Sequence, residues 1–169
     1  MAKQISLREF QQGLAQRLRE AQAEAEPTSR LGVQAGSRNW LIKLDDAGEM
    51  LPLPEISSVP LTRSWYLGLA NIRGVLASVV DFSAFMGGEP TTRTPDCRLL
   101  LIAERFQSFS GLLISRMLGL RSVQTLQAED ETPDRPWVGT VYRDGDGQVW
   151  RELNIAELAV HNDFLRVGA

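Results

Sequence analysis

The sequence is poor in the residues from which active sites are most often built. Its 169 residues include one cysteine, Cys97, one histidine, His161, and two lysines, Lys3 and Lys43. A lone cysteine closes no internal disulfide and supplies no thiolate cage for a metal, which fits a reducing compartment. The only thiol and the only imidazole that could pair for nucleophilic catalysis are those of Cys97 and His161. No third orienting group accompanies them, and an inert thiol with a surface or capping histidine is the stronger reading. Long apolar runs are missing too. The longest, "LLLIA" at 99–103, falls far short of the roughly 20 residues a spanning helix needs, and "MAKQISLREF" has no signal-like apolar stretch, so direct membrane insertion is not expected and a cytoplasmic setting is.

Charge of one sign is lacking as well. Eighteen basic and 21 acidic residues leave a net charge of −3, whereas domains that neutralise phosphates carry a marked basic excess. A nucleic-acid-binding small β-barrel is the alternative reading, and it requires tryptophans and arginines on one exposed face. Trp40, Trp137 and Trp150 instead fall inside strand patterns with no flanking basic cluster, where a buried position is the default. Phosphate loops fare no better, because "GSRNW" (36–40) and "GGEPTTR" (87–93) lack the lysine and helix that would follow. "DGDGQVWRE" (144–152) begins like a calcium loop but runs into a strand pattern, which makes it a hairpin turn. Asp45 and Asp46 follow the apolar "WLIKL" as a receiver domain's acidic pair would, yet extended, proline-punctuated segments come next; they read as turn residues. Neither a catalytic residue nor a metal site nor a cofactor site is expected.

What is present is a change of period. "SLREFQQGLAQRLREAQAEAE" (6–26) carries a capping box at Ser6 and Glu9, an apolar stripe through Leu7, Phe10, Leu14, Leu18 and Ala21, and a stop at Pro27. The stripe must be covered by the following domain or by another protein, so Phe10, Leu14 and Leu18 are candidate partner-binding positions. From Leu31 the chain turns to short apolar or alternating stretches, "LGVQA", "NWLIKL", "EMLPL", "VLASVV", "RLLLIAE", "FSGLLIS", "WVGTVYR" and "QVWREL", separated by Gly, Pro, Asp or Ser. These are strands, paired mostly antiparallel through short turns such as "AGSR" (35–38) and "DGDG" (144–147), in small curled sheets or barrels. Short helices are expected at 63–67, at 81–87 behind an Asp81 cap, and at 154–160 behind an Asn154 and Glu157 box. "QAEDETPDRP" (127–136) should be an exposed connection.

Between "RSWYL" and "VLASVV" lies "GLANIRG" (68–74). Gly68 and Gly74 permit unusual backbone or close approach, and Asn71 tolerates a left-handed turn, so a sharp entry into the strand at 75–80 is expected. For Arg73, spacing leaves two readings open: a partner for nearby carbonyls, or presentation at an interface.

The longer stretch "VPLTRSWYLGLANIRGVLASVVDFSAFMG" (59–87) resembles the signature of CheW-type adaptor domains, in which a short helix leads into a G-V-x-N-x-R-G turn and an apolar strand ending in Asp. "DDAGEMLPLPEISSVP" before it and the strand order after it resemble the same family. The N-terminal helix and the ending "HNDFLRVGA" look most like the adaptors of chemosensory systems that control type IV pili and twitching motility. The resemblance implies a mostly β, CheW-like fold of two five-stranded β-barrel lobes with short helices. It divides the chain into an N-terminal amphipathic helix and linker at 1–29 and a CheW-like domain at 30–169. It implies no catalysis, and a scaffold linking a methyl-accepting chemoreceptor's cytoplasmic tip to the regulatory domain of a CheA-type histidine kinase, in a bacterial cytoplasm at membrane-associated receptor arrays. Arg73, Gly68, Asn71 and Gly74 match the family's receptor-side turn, and Glu49 matches a receptor-side acidic residue. Ala47, Arg63 and Ser78 depart from the valine and two prolines common in the family, which puts identical receptor contacts in doubt.

Overall fold

The computed structural model describes residue 13, residues 16–17 and residues 28–169. Gly13, Gln16 and Arg17 are helical, while Ser6, Glu9, Phe10, Leu14 and Leu18 lie outside the described residues. From Ser29 the elements run β1 (Ser29–Ala35), β2 (Arg38–Lys43), β3 (Ala47–Pro52), β4 (Tyr66–Ile72), β5 (Val75–Asp81), α1 (Phe82–Phe85), β6 (Arg98–Ile102), β7 (Ser110–Ile114), β8 (Arg116–Ser122), β9 (Gln127–Glu129), β10 (Val138–Arg143), β11 (Val149–Leu153), α2 (Ile155–Val160) and α3 (Asn162–Leu165). They form two sheets, in the orders β8-β1-β2-β11-β10-β9 and β3-β6-β7-β5-β4. All pairings are antiparallel except β2 with β11 and β5 with β7. The expected mostly β architecture is therefore found, with a sixth strand, the three-residue β9, added to the first sheet by pairing with β10.

The strand alternation explains how the sheets pack. In β6, Leu99 and Leu101 point to one side and Leu100 and Ile102 to the other, and all four are buried. Leu100 and Ile102 join Val80, Leu112 and Ile114 of the same sheet, Val33, Trp40, Ile42 and Leu153 of the other, and Leu158 and Phe164 from α2 and α3, in a core shared by both sheets. Leu99 and Leu101 join Ala70, Ile72, Ala77 and Val79 in a smaller core inside the five-stranded sheet. That sheet is closed by the segment after β3, where Ser57 bridges Leu69 through hydrogen bonds of 2.8 and 2.9 Å.

Turns and caps follow local chemistry. Gly36 and Ser37 close the β1–β2 hairpin, with Gly36 at φ +59°. In the turn from β10 to β11, Asp144 accepts from the Trp150 indole at 3.0 Å and from Gln148 N–H at 3.0 Å, which holds its carboxyl below the usual carboxylate range. Asp81 caps α1 by accepting from Ala84 N–H, and it also accepts from the Thr91 N–H and hydroxyl, both at 2.7 Å. Asn154 caps α2 through Glu157 N–H.

The structure corrects one helix. Residues 63–67 make a single turn that enters β4, because Arg63 N–H donates to Val167 and Trp65 C=O accepts from Asp81 N–H, committing both to strand-like partners. At the exposed connection, Gln127–Glu129 is strand and the remainder to 136 is irregular.

Trp40→Ala, which empties a site in the shared core, should lower unfolding free energy by about 3–5 kcal/mol in urea denaturation, whereas Leu165→Ser at the surface should change it by no more than ~0.5 kcal/mol.

Candidate functional site

"GLANIRG" is the end of β4 plus a two-residue hairpin turn. Ile72 pairs with Val75, so Arg73 and Gly74 alone make the turn, with φ of 51° and 86°. Two positive φ values define the turn that matches strand twist best, and Asn-Gly is its usual sequence. The left-handed residues are therefore Arg73 and Gly74, not Asn71. Asn71 lies within β4, and its side-chain oxygen accepts from Gly74 N–H at 2.7 Å, which satisfies a donor at the second turn position.

Gly68 does a different job. The β4–β5 register shifts between Tyr66 and Gly68, and Gly68 sits at φ +131°. A Cβ there would lie 2.0 Å from the Ser57 carbonyl oxygen. The close approach that this glycine allows is to the chain's own closing segment, which fixes the path of β4 toward the hairpin. Gly74, by contrast, has open space where its Cβ would be.

Arg73 stands out from the tip with 70% of its side chain exposed, and its guanidinium meets the carboxylate of Glu49 on β3. Glu49 is mostly covered, at 23%. β3 and β4 are the two edges of the five-stranded sheet, so this ion pair reaches across from one edge to the hairpin of the other. The hydrogen bond and charge of Glu49 raise the Arg73 pKa above its ordinary value. Magnitudes decide what the arginine is for. A left-handed non-glycine residue costs about 1–2 kcal/mol, and an exposed ion pair returns about 0–1 kcal/mol. The fold gains nothing net from arginine here. Beside it Val75 and Leu76 are exposed, giving the tip a cation with apolar flanks.

The structure thus brings Arg73, Asn71, Gly74 and Glu49 together at one end of the sheet and places Gly68 further back along β4. Val75 and Leu76 were read only as strand residues; the hairpin position that exposes them is set by the Arg73-Gly74 turn. Cys97 is buried, with Sγ 3.3 Å from the Thr92 carbonyl and 3.4 Å from Thr94 N. His161 caps α3, its Nδ1 accepting from Asp163 N–H at 3.2 Å, with its ring 4.7 Å from that of Trp137. Trp40, Trp137 and Trp150 are each 1% exposed, so they form no stacking face for bases. A cleft of about 450 Å³ brings Gly36 and Arg38 opposite Glu89 and Thr91, but Gly36 N–H is taken by the Ser115 hydroxyl and Thr91 by Asp81.

Residues 30–162 match the CheW-like domain family, and the chain belongs to that family. Over 155 residues it is 28% identical to Protein PilI of Pseudomonas aeruginosa, an alignment covering 88% of this chain and 85% of PilI. Its fold is similar to that of the scaffolding protein TtCheW from Thermoanaerobacter tengcongensis, with a TM-score of 0.67 over 82% of this chain and 96% of TtCheW, at 15% identity.

Two glycines of one short stretch should respond differently to the same change. Gly68→Ala, which drives a methyl into the Ser57 backbone, should cost about 3 kcal/mol, and Gly74→Ala, whose cost is conformational, about 1 kcal/mol, both read from thermal melts.

Proposed function

We propose that this chain is a non-catalytic adaptor coupling the cytoplasmic tip of a methyl-accepting chemoreceptor to the regulatory domain of a CheA-type histidine kinase. Its setting is the cytoplasmic face of a receptor array in a chemosensory system that controls type IV pilus twitching motility. Family membership and the likeness to PilI support this reading. The observation that carries it is Arg73: a charged side chain held out on a strained turn whose cost the fold does not recover.

The receptor side is the Arg73 hairpin, with Asn71 and Gly74 setting the turn, Gly68 setting the approach of β4, and Glu49 orienting the guanidinium. Coupling needs no bond-making step. If receptor and kinase both hold the adaptor, a change in how the receptor presents its surface reaches the kinase as a difference in binding free energy, and the effect is reciprocal.

Arg73→Glu reverses the charge at the centre of this surface and places it beside Glu49. Affinity for a receptor cytoplasmic fragment should fall at least ~10-fold while unfolding free energy moves by no more than about 1 kcal/mol and kinase affinity is kept. Titration calorimetry with each partner, beside a thermal melt, reads all three. Unchanged receptor affinity would sink the assignment, and a chain that no longer melts cooperatively would make Arg73 a structural residue.

A further inference from the structure

The six-stranded sheet ends in two edge strands of different character. β9 is three residues long, which leaves little for another strand to pair with. β8 runs for seven residues, with β1 on one side and no strand among the described residues on the other. Its two faces are sorted by chemistry. Leu120 stands opposite Leu31 and Met117 opposite Val33, so both point toward the shared core that Leu31 and Val33 help to fill. Residues three apart on a regular strand point to opposite faces, but the register shift beside Gly119, at φ +84°, puts these two on one side. Arg116 and Arg121 turn to the other side, where Arg116 donates to the Gln34 side chain at 2.8 Å and Arg121 lies over the Trp150 ring at 5.0 Å. Leu31 and Val33 are at most 1% exposed, yet Met117 and Leu120 are 45% and 46% exposed. The shared core is left open along β8.

The chain itself brings an apolar stripe to this opening. It enters β1 through Thr28, whose carbonyl accepts from Val123 N–H at 3.1 Å, just past the end of β8. Before Thr28, outside the described residues, the sequence carries the stripe Leu7, Phe10, Leu14, Leu18 and Ala21 and the stop at Pro27. A helix rising about 1.5 Å per residue and folding back from Pro27 sets Ala21 about 8 Å and Leu18 about 12 Å from the junction. On the strands, at about 3.3 Å per residue, Leu31 with Leu120 lies about 7 Å and Val33 with Met117 about 13 Å from Ser29. The two spacings match. The Thr28 hydroxyl oxygen is shut off from water with no hydrogen-bond partner among the described residues, and the last carbonyls of a helix ending here lack intrahelical donors. A second copy of the chain fits the edge less well, because symmetric antiparallel pairing centred on β8 sets Arg116 of each copy against Arg121 of the other.

We infer that residues 6–26 fold back as a helix along the outer edge of β8 and cover Met117 and Leu120 with Leu18 and Ala21. Covering an edge with a helix removes a template for unwanted strand pairing, and the short tether makes the contact intramolecular. The stripe then completes the shared core, and Leu18 is out of reach of a partner. This holds whether or not the chain is an adaptor.

Trypsin cuts after Arg17 and Arg19, on either side of Leu18, only as fast as the segment opens. In the full chain these cuts should be slow. In Met117→Ser/Leu120→Ser, altered only on β8, they should be at least ~10-fold faster, with the melting temperature lowered by about 3–6 °C. Leu18→Ser should speed amide hydrogen exchange in β8, and adding it to the strand pair should lower the melting temperature little further, as for residues in contact. Cleavage unchanged by the strand pair overturns the inference, as does wild-type cleavage as fast as that of a free peptide of residues 6–26. Protection that grows with protein concentration also overturns it, by making a second copy the occupant. Unchanged cleavage with weakened binding of a CheA-type regulatory domain or a receptor fragment overturns it by making the β8 edge a partner surface. If the strand pair does not fold, Leu18→Ser decides alone: faster β8 exchange supports the inference and unchanged exchange defeats it.

Discussion

The central strands β5, β6 and β7 of the five-stranded sheet are covered on both faces, and the consequences run through the whole chain. Leu99 and Leu101 feed the small core, Leu100 and Ile102 the shared one, and β5 divides in the same way, with Ala77 and Val79 on one side and Val80 on the other. Strands buried on both sides keep no face for a partner. What it can offer is its hairpin tips and the segments that cross its edges. The Arg73-Gly74 turn is one such tip, and the connection carrying Ser57 and Leu61 is one such crossing.

Covering both faces also demands that the sheet close, and closure determines where the exposed residues sit. Ser57 can pair with Leu69 only because Gly68 has no Cβ to meet it. The Glu49–Arg73 pair reinforces the same meeting of edges from outside, where water weakens it. Asp81, buried and accepting three hydrogen bonds, ties the end of β5 to α1 and to Thr91, so the strand carrying the hairpin is anchored at the end away from the tip.

How much of this was legible in the sequence depended on burial. "RLLLIAE" reads as a strand because two covered faces leave a continuous apolar run, and the tryptophans read as core for the same reason. "DGDG" and Asn154 carry their turn and cap chemistry in their own side chains. β4 was hidden because Gly68, Ala70 and Asn71 dilute its alternation, and β8 because none of its seven residues is buried, so nothing selects an apolar pattern. The helix expected at 63–67 failed because Arg63 pairs with Val167, a contact no local pattern encodes. At the site, Arg73 and its glycines drew notice by composition, and Glu49 came only through family resemblance. At Leu61 only Pro60 signals the turn, because its left-handed position is usually taken by glycine or asparagine and here is leucine.

The Arg73 turn and the segment that leads into β4 constrain how an adaptor of this kind could work. Close-packed cores deform little, and here both ends of β4 are tied to packed or hydrogen-bonded neighbours: the Arg73 turn through Asn71 and Glu49, the Leu61 segment through residues 167–169. On the adaptor reading, a shift in receptor pose would therefore be carried as a rigid displacement of the far end rather than absorbed inside the domain. Strain stored at Arg73 is cost already borne before a partner arrives, and a guanidinium held by Glu49 loses less entropy when it docks. Coupling through such a body requires no second conformation of the adaptor, only two surfaces whose spacing does not change.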